Sequence, residues 1–178
     1  MAQKSLIDGL FEFRIADRLV YGLCTHERTL KGAPNMGQFI RFFAGVEQSR
    51  PEALPDILSR DVVFSVFMDL QGQIRLKNAC HLMSPQEIPE SLKAAPLLRC
   101  GGPPVDDRCF LVEGLGKEGM FVPVEEPYDE AALADAPTTE ILSIEGLLWF
   151  YRYNLTPRRR FDIQMGRYTL DEDRDAIF

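Results

Sequence analysis

The residues that could act as general bases or nucleophiles are few in this chain. His26 and His81 are the two imidazoles, and Cys80 directly precedes His81. Adjacent residues on a strand point to opposite faces, whereas a nucleophile and its base must lie within hydrogen-bond reach. We therefore interpret Cys80 and His81 as a buried cysteine beside a partly exposed histidine rather than as a catalytic pair.

Metal and phosphate motifs are also missing from the sequence. It has no H-E-x-x-H, no C-x-x-C and no D-x-D-x-D-G spacing. Residues 114–119 spell G-x-G-x-x-G, but a nucleotide-binding fingerprint must open a helix, and a strand-like run follows here. The sequence predicts no cofactor, no metal and no enzyme activity.

Negative charge is concentrated in one part of the chain. Residues 113–145 hold nine acidic residues against Lys117 alone, a net charge of −8, so the rest of the chain carries +1 of the total of −7. Such a field disfavours nucleic acid and attracts a basic protein. A solvated acidic loop that only aids solubility is the alternative interpretation, and the basic run 158–160 is interpreted as a solvated end.

The elements that would carry these residues begin with a hairpin over residues 8–25. Phe11, Phe13 and Ile15 alternate with polar residues, which predicts a strand with one buried face. A second strand comes after the short link 16–18, and Gly22 within it indicates a bulge or a close backbone approach. Further strands are predicted at 38–43, at 62–68 as a central strand covered on both faces, at 74–76, at 109–112 and at 119–124.

Helices are predicted mainly near the end of the chain. Apolar residues at i, i+3, i+4, i+7 and i+11 from Ile144 favour a helix over a strand at 143–155, with Ser143 as N-cap and Pro157 closing the end. Short helices are predicted near 49–58 and within 85–93, and an extra strand at 161–170. The predicted fold is α+β: a mainly antiparallel, strongly curved sheet or partly open barrel, with short helices and one C-terminal helix.

Length and composition bound the domain organisation. At 178 residues the chain is predicted to form a single domain, 1–178, with an exposed acidic loop around 125–137 and a helix plus tail from 143. No signal peptide or membrane span is visible, which predicts a cytoplasmic protein with reduced thiols. Cys24 and Cys80 are predicted to be buried, and whether Cys100 pairs with Cys109 stays open.

A family resemblance rests on the hairpin and on the segments C-terminal to it. Asp8-Gly9, the alternating strand 11–15 and Leu19-Val20-Tyr21-Gly22 precede an aromatic strand, an apolar strand and a proline-rich passage at 84–98. Over its first two-thirds the chain resembles the immunity protein 26 family of bacterial polymorphic toxin systems. Two features depart from that pattern: Asp-Gly stands for Gly-Asp, and residues 74–77 stand where a tryptophan is usual. The resemblance implies a protein that binds a cognate toxin and blocks it.

The sequence supports two main hypotheses on function. In the first, an acidic surface binds a cognate toxin domain, for which a basic nuclease is one possibility, without contacting nucleic acid or membrane. The toxin-binding residues are then Glu125, Glu126, Tyr128, Asp129, Glu130 and Asp135. In the second, the chain is a small enzyme or ligand-binding domain with a cleft near His81. A structural subunit of a secretion or chaperone assembly is a third, weaker possibility and would expose an apolar patch.

Overall fold

In the part of the chain that the structure describes, two antiparallel sheets and several short helices build the fold. A computed structural model describes residues 6–27, 37–52, 54–85, 87–100, 110–113, 122–124 and 129–178. The strands are β1 Gly9–Ile15, β2 Arg18–Glu27, β3 Gln38–Phe43, β4 Val62–Met68, β5 Ala79–Met83, β6 Leu97–Cys100, β7 Phe110–Glu113 and β8 Val122–Pro123. The helices are a 3₁₀ helix Leu54–Ser59, then α1 Leu70–Arg75, α2 Glu90–Lys93, α3 Glu130–Asp135, α4 Ile144–Arg152, α5 Pro157–Gln164 and α6 Glu172–Asp175.

The larger sheet has the strand order β4-β3-β2-β1-β5, and the smaller sheet has the order β6-β7-β8. All neighbouring strands run antiparallel. The predicted α+β class with a mainly antiparallel sheet is therefore confirmed. Within the described residues the five-stranded sheet does not close, because β4 and β5 remain as its two edges.

The predicted hairpin is confirmed as β1 and β2. Ile15 pairs with Arg18, and the turn between them places Ala16 at φ 54°, in the left-handed region. Gly22 marks a close approach, as predicted, since a Cβ there would lie 2.6 Å from the Ile40 side chain. The single buried face was wrong: Leu10 and Glu12 are buried along with Phe11 and Phe13.

Burial of both faces is explained by the segments that pack on each side of the sheet. One core cluster contains Phe11, Phe13, Phe42 and Phe64 with Leu147, Phe150 and Tyr151 of α4. The other contains Leu10, Tyr21, Leu23 and Phe43 with Ile57 of the 3₁₀ helix and Ile88. Alternation alone cannot reveal a second covering layer when that layer comes from distant segments of the chain.

β4 is doubly covered, as predicted, but it is not central. It forms one edge of the sheet, and the chain before α4 runs beside it, where the Leu142 N–H donates to the Phe67 carbonyl at 2.7 Å. The Phe64 ring packs on Phe150 with centroids 4.8 Å apart. An apolar edge strand is thus shielded from solvent by the segment that leads into α4.

The strand predicted at 74–76 was wrong, because this segment belongs to α1 and the turn after it. Asp69 caps the helix by accepting a hydrogen bond from the Gly72 N–H at 2.9 Å. A carboxylate at an N-cap satisfies a backbone donor that would otherwise lack a partner. This local bond outweighs the β-like alternation of Ile74 and Leu76.

The chain from residue 143 onward has three helices where one was predicted. α4 begins after the Ser143 cap, as predicted, but it ends at Arg152, and Asn154 adopts φ 48°. Pro157 does not close α4; it occupies the first turn of α5, a position that suits its fixed φ. The strand predicted at 161–170 was therefore wrong.

The smaller sheet contains strands close to the two predicted at 109–112 and 119–124. Its third strand, β6, lies in the proline-rich passage and was not predicted. Arg99 of β6 is 1% exposed, lies over the Phe161 ring at 4.8 Å and donates to Gln164 Oε1 at 3.0 Å. This arginine joins the smaller sheet to α5.

Candidate functional site: an acidic surface bracketed by arginines

The predicted acidic segment is helical in its described part. α3 spans Glu130–Asp135, and Asp129 caps it by accepting a hydrogen bond from the Ala131 N–H at 3.1 Å. Ala134 and Ala136 are buried, so that α3 packs closely against α5. Residues 130–135 are therefore not the loop that was predicted.

We define the acidic surface as Asp129, Glu130, Asp135 and Glu140, all of which are exposed. Three of them, Asp129, Glu130 and Asp135, fall within the segment 125–137 that was predicted to be an exposed loop. Glu125, Glu126 and Tyr128, the other predicted toxin-binding residues, lie outside the described residues. Three of the six predicted toxin-binding residues therefore belong to the acidic surface, and Glu140, its fourth member, was not among the six.

Each of three acids on this surface is bound by an arginine from a later part of the chain. Arg158 donates through Nε and Nη2 to the two carboxylate oxygens of Asp135, both at 2.7 Å. Arg160 pairs with Glu140, and Arg167 pairs with Glu130. The run 158–160 is therefore not a simple solvated end.

This pairing changes the electrostatics of the acidic surface. Hydrogen bonding from Arg158 lowers the pKa of Asp135 below its ordinary value. Four carboxylates facing three guanidinium groups leave a net charge of −1 among these seven side chains. The three carboxylate side chains are 61%, 62% and 61% accessible, and Arg158 and Arg167 are about half exposed, whereas Arg160 is 22% accessible. Exposed pairs contribute roughly 0–1 kcal/mol each, so Arg158 and Arg167 are exchangeable partners.

A second polar cluster lies within the larger sheet. Glu12 of β1 is 8% exposed and accepts from Arg50 Nε at 2.8 Å and Nη2 at 3.0 Å. Tyr21 of the neighbouring strand β2 donates to the same carboxylate at 3.5 Å. Burial, followed by the charge of Glu12, raises the pKa of Tyr21 to about 12, which keeps the hydroxyl protonated as a donor.

Cys80 and His81 stand on β5, at the edge of the larger sheet. Both are exposed, so the predicted burial of Cys80 was wrong, whereas that of Cys24 is confirmed. β5 pairs with β1 on one side only among the described residues. The His81 ring packs edge-on against Phe11 with centroids 5.1 Å apart, and its Nε2 lies 3.3 Å from Ser84 Oγ. His81 thus contacts its cross-strand neighbour on β1 and a residue just after the end of β5.

Cys100 is a free thiol in the structure, and Cys109 lies outside the described residues. Within those residues, no three His, Cys, Asp or Glu side chains are grouped closely enough to hold a metal ion. In the same part of the chain, no helix has the length and apolar character needed to cross a bilayer.

Sequence reasoning missed the partners of the acids. Arg158 and Arg167 were visible as bases near the acidic stretch, but charge alone does not say which residues meet. The Glu12–Arg50 pair had a weaker signal, because a charged residue in an alternating strand is normally assigned to the solvent face. No family model, curated protein or solved structure matches the chain.

Proposed function

We propose that the chain is a bacterial immunity protein of the cytoplasm, which binds a cognate toxin domain and blocks it. The observation that carries the proposal is the net charge of −8 on residues 113–145, part of which is presented by α3 as exposed carboxylates. The resemblance of the first two-thirds of the chain to the immunity protein 26 family supports the same function.

The proposed docking site is the acidic surface together with Glu125, Glu126 and Tyr128. A basic toxin domain, such as a nuclease, would find there the negative charge that its own substrate carries. Tyr128 would supply an aromatic anchor of the kind that dominates many interfaces. Under this proposal the protein inhibits by covering the toxin rather than by a reaction of its own.

The arginines define how docking would proceed. Because Asp135 and Glu130 are paired with Arg158 and Arg167, an incoming lysine or arginine of the toxin has to take over these carboxylates. Exposed pairs are weak enough for this exchange. The partner therefore competes with the chain's own guanidinium groups.

The direct test uses the toxin domain encoded beside this gene, in a catalytically inactive form. Asp129→Asn, Glu130→Gln and Asp135→Asn together remove three charges, while the asparagine introduced at position 129 retains the helix cap. The matched control, Glu52→Gln with Asp56→Asn and Glu87→Gln, removes three exposed charges elsewhere. At low salt we expect the first variant to bind about tenfold more weakly, mainly through a slower association rate, and the control to change less than about twofold.

Equal losses in the two variants would assign the effect to net charge and not to this surface. Failure of the unaltered protein to bind or inhibit the neighbouring toxin would overturn the function itself. The two results are distinguishable, because only the second removes binding by the wild-type chain.

Competition by the arginines has its own test. Arg158→Gln with Arg167→Gln frees Asp135 and Glu130, and we expect toxin affinity to rise about two- to tenfold. Arg75→Gln with Arg174→Gln, two exposed arginines elsewhere, removes the same charge as a control. A loss of affinity in the first variant would mean that the arginines contact the toxin or hold its docking surface in place.

A further inference from the structure

A half-open cavity of about 520 Å³ lies at one end of the larger sheet. The start of β2, the chain after β3, the first residues of β4, the end of α4 and residues 177–178 converge there. Its walls are mostly apolar. They include Val46, Val63, Phe64, Phe150, Ile177 and Phe178. The volume falls within the range of roughly 300–1,000 Å³ that is typical of small-molecule sites.

Among the residues that the structure describes, the cationic side chain that lines this cavity is Arg18. Its Nε is buried and has no hydrogen-bond partner. Among the described residues its ion pair is a 3.5 Å contact from this same Nε to Asp17 Oδ1, which does not form a hydrogen bond, and the Asp17 side chain is 82% exposed. The Arg18 side chain as a whole is 25% exposed, whereas its Nε is withdrawn from water.

Two other polar side chains at the cavity are already committed. The Tyr151 hydroxyl donates to the Phe43 carbonyl at 2.7 Å. Arg60 lies next to the lining residue Gly45, but it pairs with Glu47 at 3.0 Å and donates to the Ala44 carbonyl at 3.3 Å. Arg18 is thus, within the described part of the chain, the cation at this cavity whose hydrogen-bonding capacity is least used.

A buried donor without a partner is destabilising, and native proteins leave few such groups. The planar guanidinium group matches a carboxylate, to which it can donate two parallel hydrogen bonds. Because Nε is buried where it stands, a carboxylate in the cavity reaches it only if the Arg18 side chain rotates towards the cavity. The exposed Asp17 carboxylate is the group that a ligand would displace.

We propose that this cavity binds a small monocarboxylate with an apolar body, its carboxylate on Arg18 and its hydrocarbon part against Phe64, Phe150 and Val63. Phe64 and Phe150, whose rings pack on each other at 59°, give the cavity an aromatic part of its lining, so the apolar body of the ligand can be aromatic. This site is separate from the acidic surface and does not depend on the proposed toxin binding.

The experiment compares three probes on the wild-type chain: 3-phenylpropionate, its neutral amide 3-phenylpropanamide, and acetate. Binding is followed by calorimetry and by the shifts of backbone amide signals in NMR spectra. For a ligand of this size we expect 3-phenylpropionate to bind with a Kd of about 1 mM. The amide should bind at least about tenfold more weakly because it lacks the charge. Acetate should also bind at least about tenfold more weakly, because it lacks the apolar body.

Variants locate the site. Arg18→Gln should weaken 3-phenylpropionate at least about tenfold, and Arg18→Lys should retain part of the affinity because it keeps the charge but loses the planar fork. Arg75→Gln, at an exposed arginine on α1, is the matched control and should bind as the wild type does. Equal affinity for acid and amide would overturn the proposal, and this comparison needs no variant to fold. Changes in the NMR amide signals that map away from Val63 and Phe150 would also overturn it. The same holds if Arg18→Gln binds 3-phenylpropionate as tightly as the wild type does.

Discussion

The pair formed by Glu12 and Arg50 is unequal in burial, and this inequality decides which replacement is more damaging. The Glu12 side chain is 9% accessible, whereas that of Arg50 is 51% accessible. Arg50→Met removes two hydrogen bonds to the carboxylate and leaves the 3.5 Å contact from Tyr21. Breaking a fully buried pair costs about 3–5 kcal/mol, and because water can partly replace a half-exposed arginine, we expect about 2 kcal/mol.

The opposite replacement, Glu12→Gln, should cost less. It removes the buried charge and keeps a side chain of the same shape, while the half-exposed Arg50 can be hydrated. We therefore expect a loss of about 1 kcal/mol, close to that of one ordinary hydrogen bond. The order of the two variants is the prediction, since it depends on which charge would be left without a partner in the interior.

Urea unfolding at neutral pH measures both free energies, with Arg75→Met as the control for removing an exposed arginine. For a chain of this length about 2 kcal/mol corresponds to a fall of roughly 4–8 °C in Tm. Equal destabilisation by Glu12→Gln and Arg50→Met would contradict a dominant role of the buried Glu12 charge, and so would an Arg50→Met loss no larger than that of the Arg75→Met control.

Three other predictions concern pH, thiol reactivity and backbone strain. Burial, and then the charge of Arg41, lowers the pKa of His26 from its ordinary value of 6.5. Because the unfolded chain then binds the proton more tightly, the stability of the protein should fall as the pH drops below neutrality through 6.5. His26→Gln should remove this loss of stability, and His81→Gln, at an exposed histidine, should retain it. Burial raises the pKa of the Cys24 thiol to about 12. Iodoacetamide at about pH 8 should therefore label the exposed Cys80 well before Cys24, as measured by peptide mass spectrometry. Equal labelling rates for the two thiols would contradict the burial of Cys24. Ala16 holds φ 54° in the hairpin turn, so Ala16→Gly should stabilise the protein by about 0.5–1 kcal/mol in urea unfolding, whereas Ala132→Gly within α3 should destabilise it.

Local patterns predicted the elements whose sequence agrees with their surroundings. β1 and β2 alternate, β3 occupies the predicted residues 38–43, and α4 combines the Ser143 cap with an apolar face. The hydrophobic pattern gave wrong predictions where a single residue decides the local structure. The Asp69 cap makes a helix of a stretch that alternates like a strand, and Pro157 starts a second helix instead of ending the first.

The candidate sites depended more strongly on tertiary structure. The sequence showed where negative charge is concentrated, and this concentration predicted that Asp129, Glu130 and Asp135 are exposed. The identity of the partners was not, because the arginines reach these acids only after α5 packs against α3. The cavity at Arg18 had no sequence signal at all, since its walls come from five separated parts of the chain.

The bracketing arginines also alter what salt should do to the proposed docking. Salt screens the attraction between the acidic surface and a basic partner, which weakens association. It also weakens the internal pairs of Asp135 with Arg158 and of Glu130 with Arg167, which makes the same carboxylates easier to capture. The two effects oppose each other, so affinity should fall with salt less steeply than the charge of the exposed acids alone implies. Arg158→Gln with Arg167→Gln removes the second effect and should steepen the salt dependence, and an unchanged slope would show that the arginines do not compete.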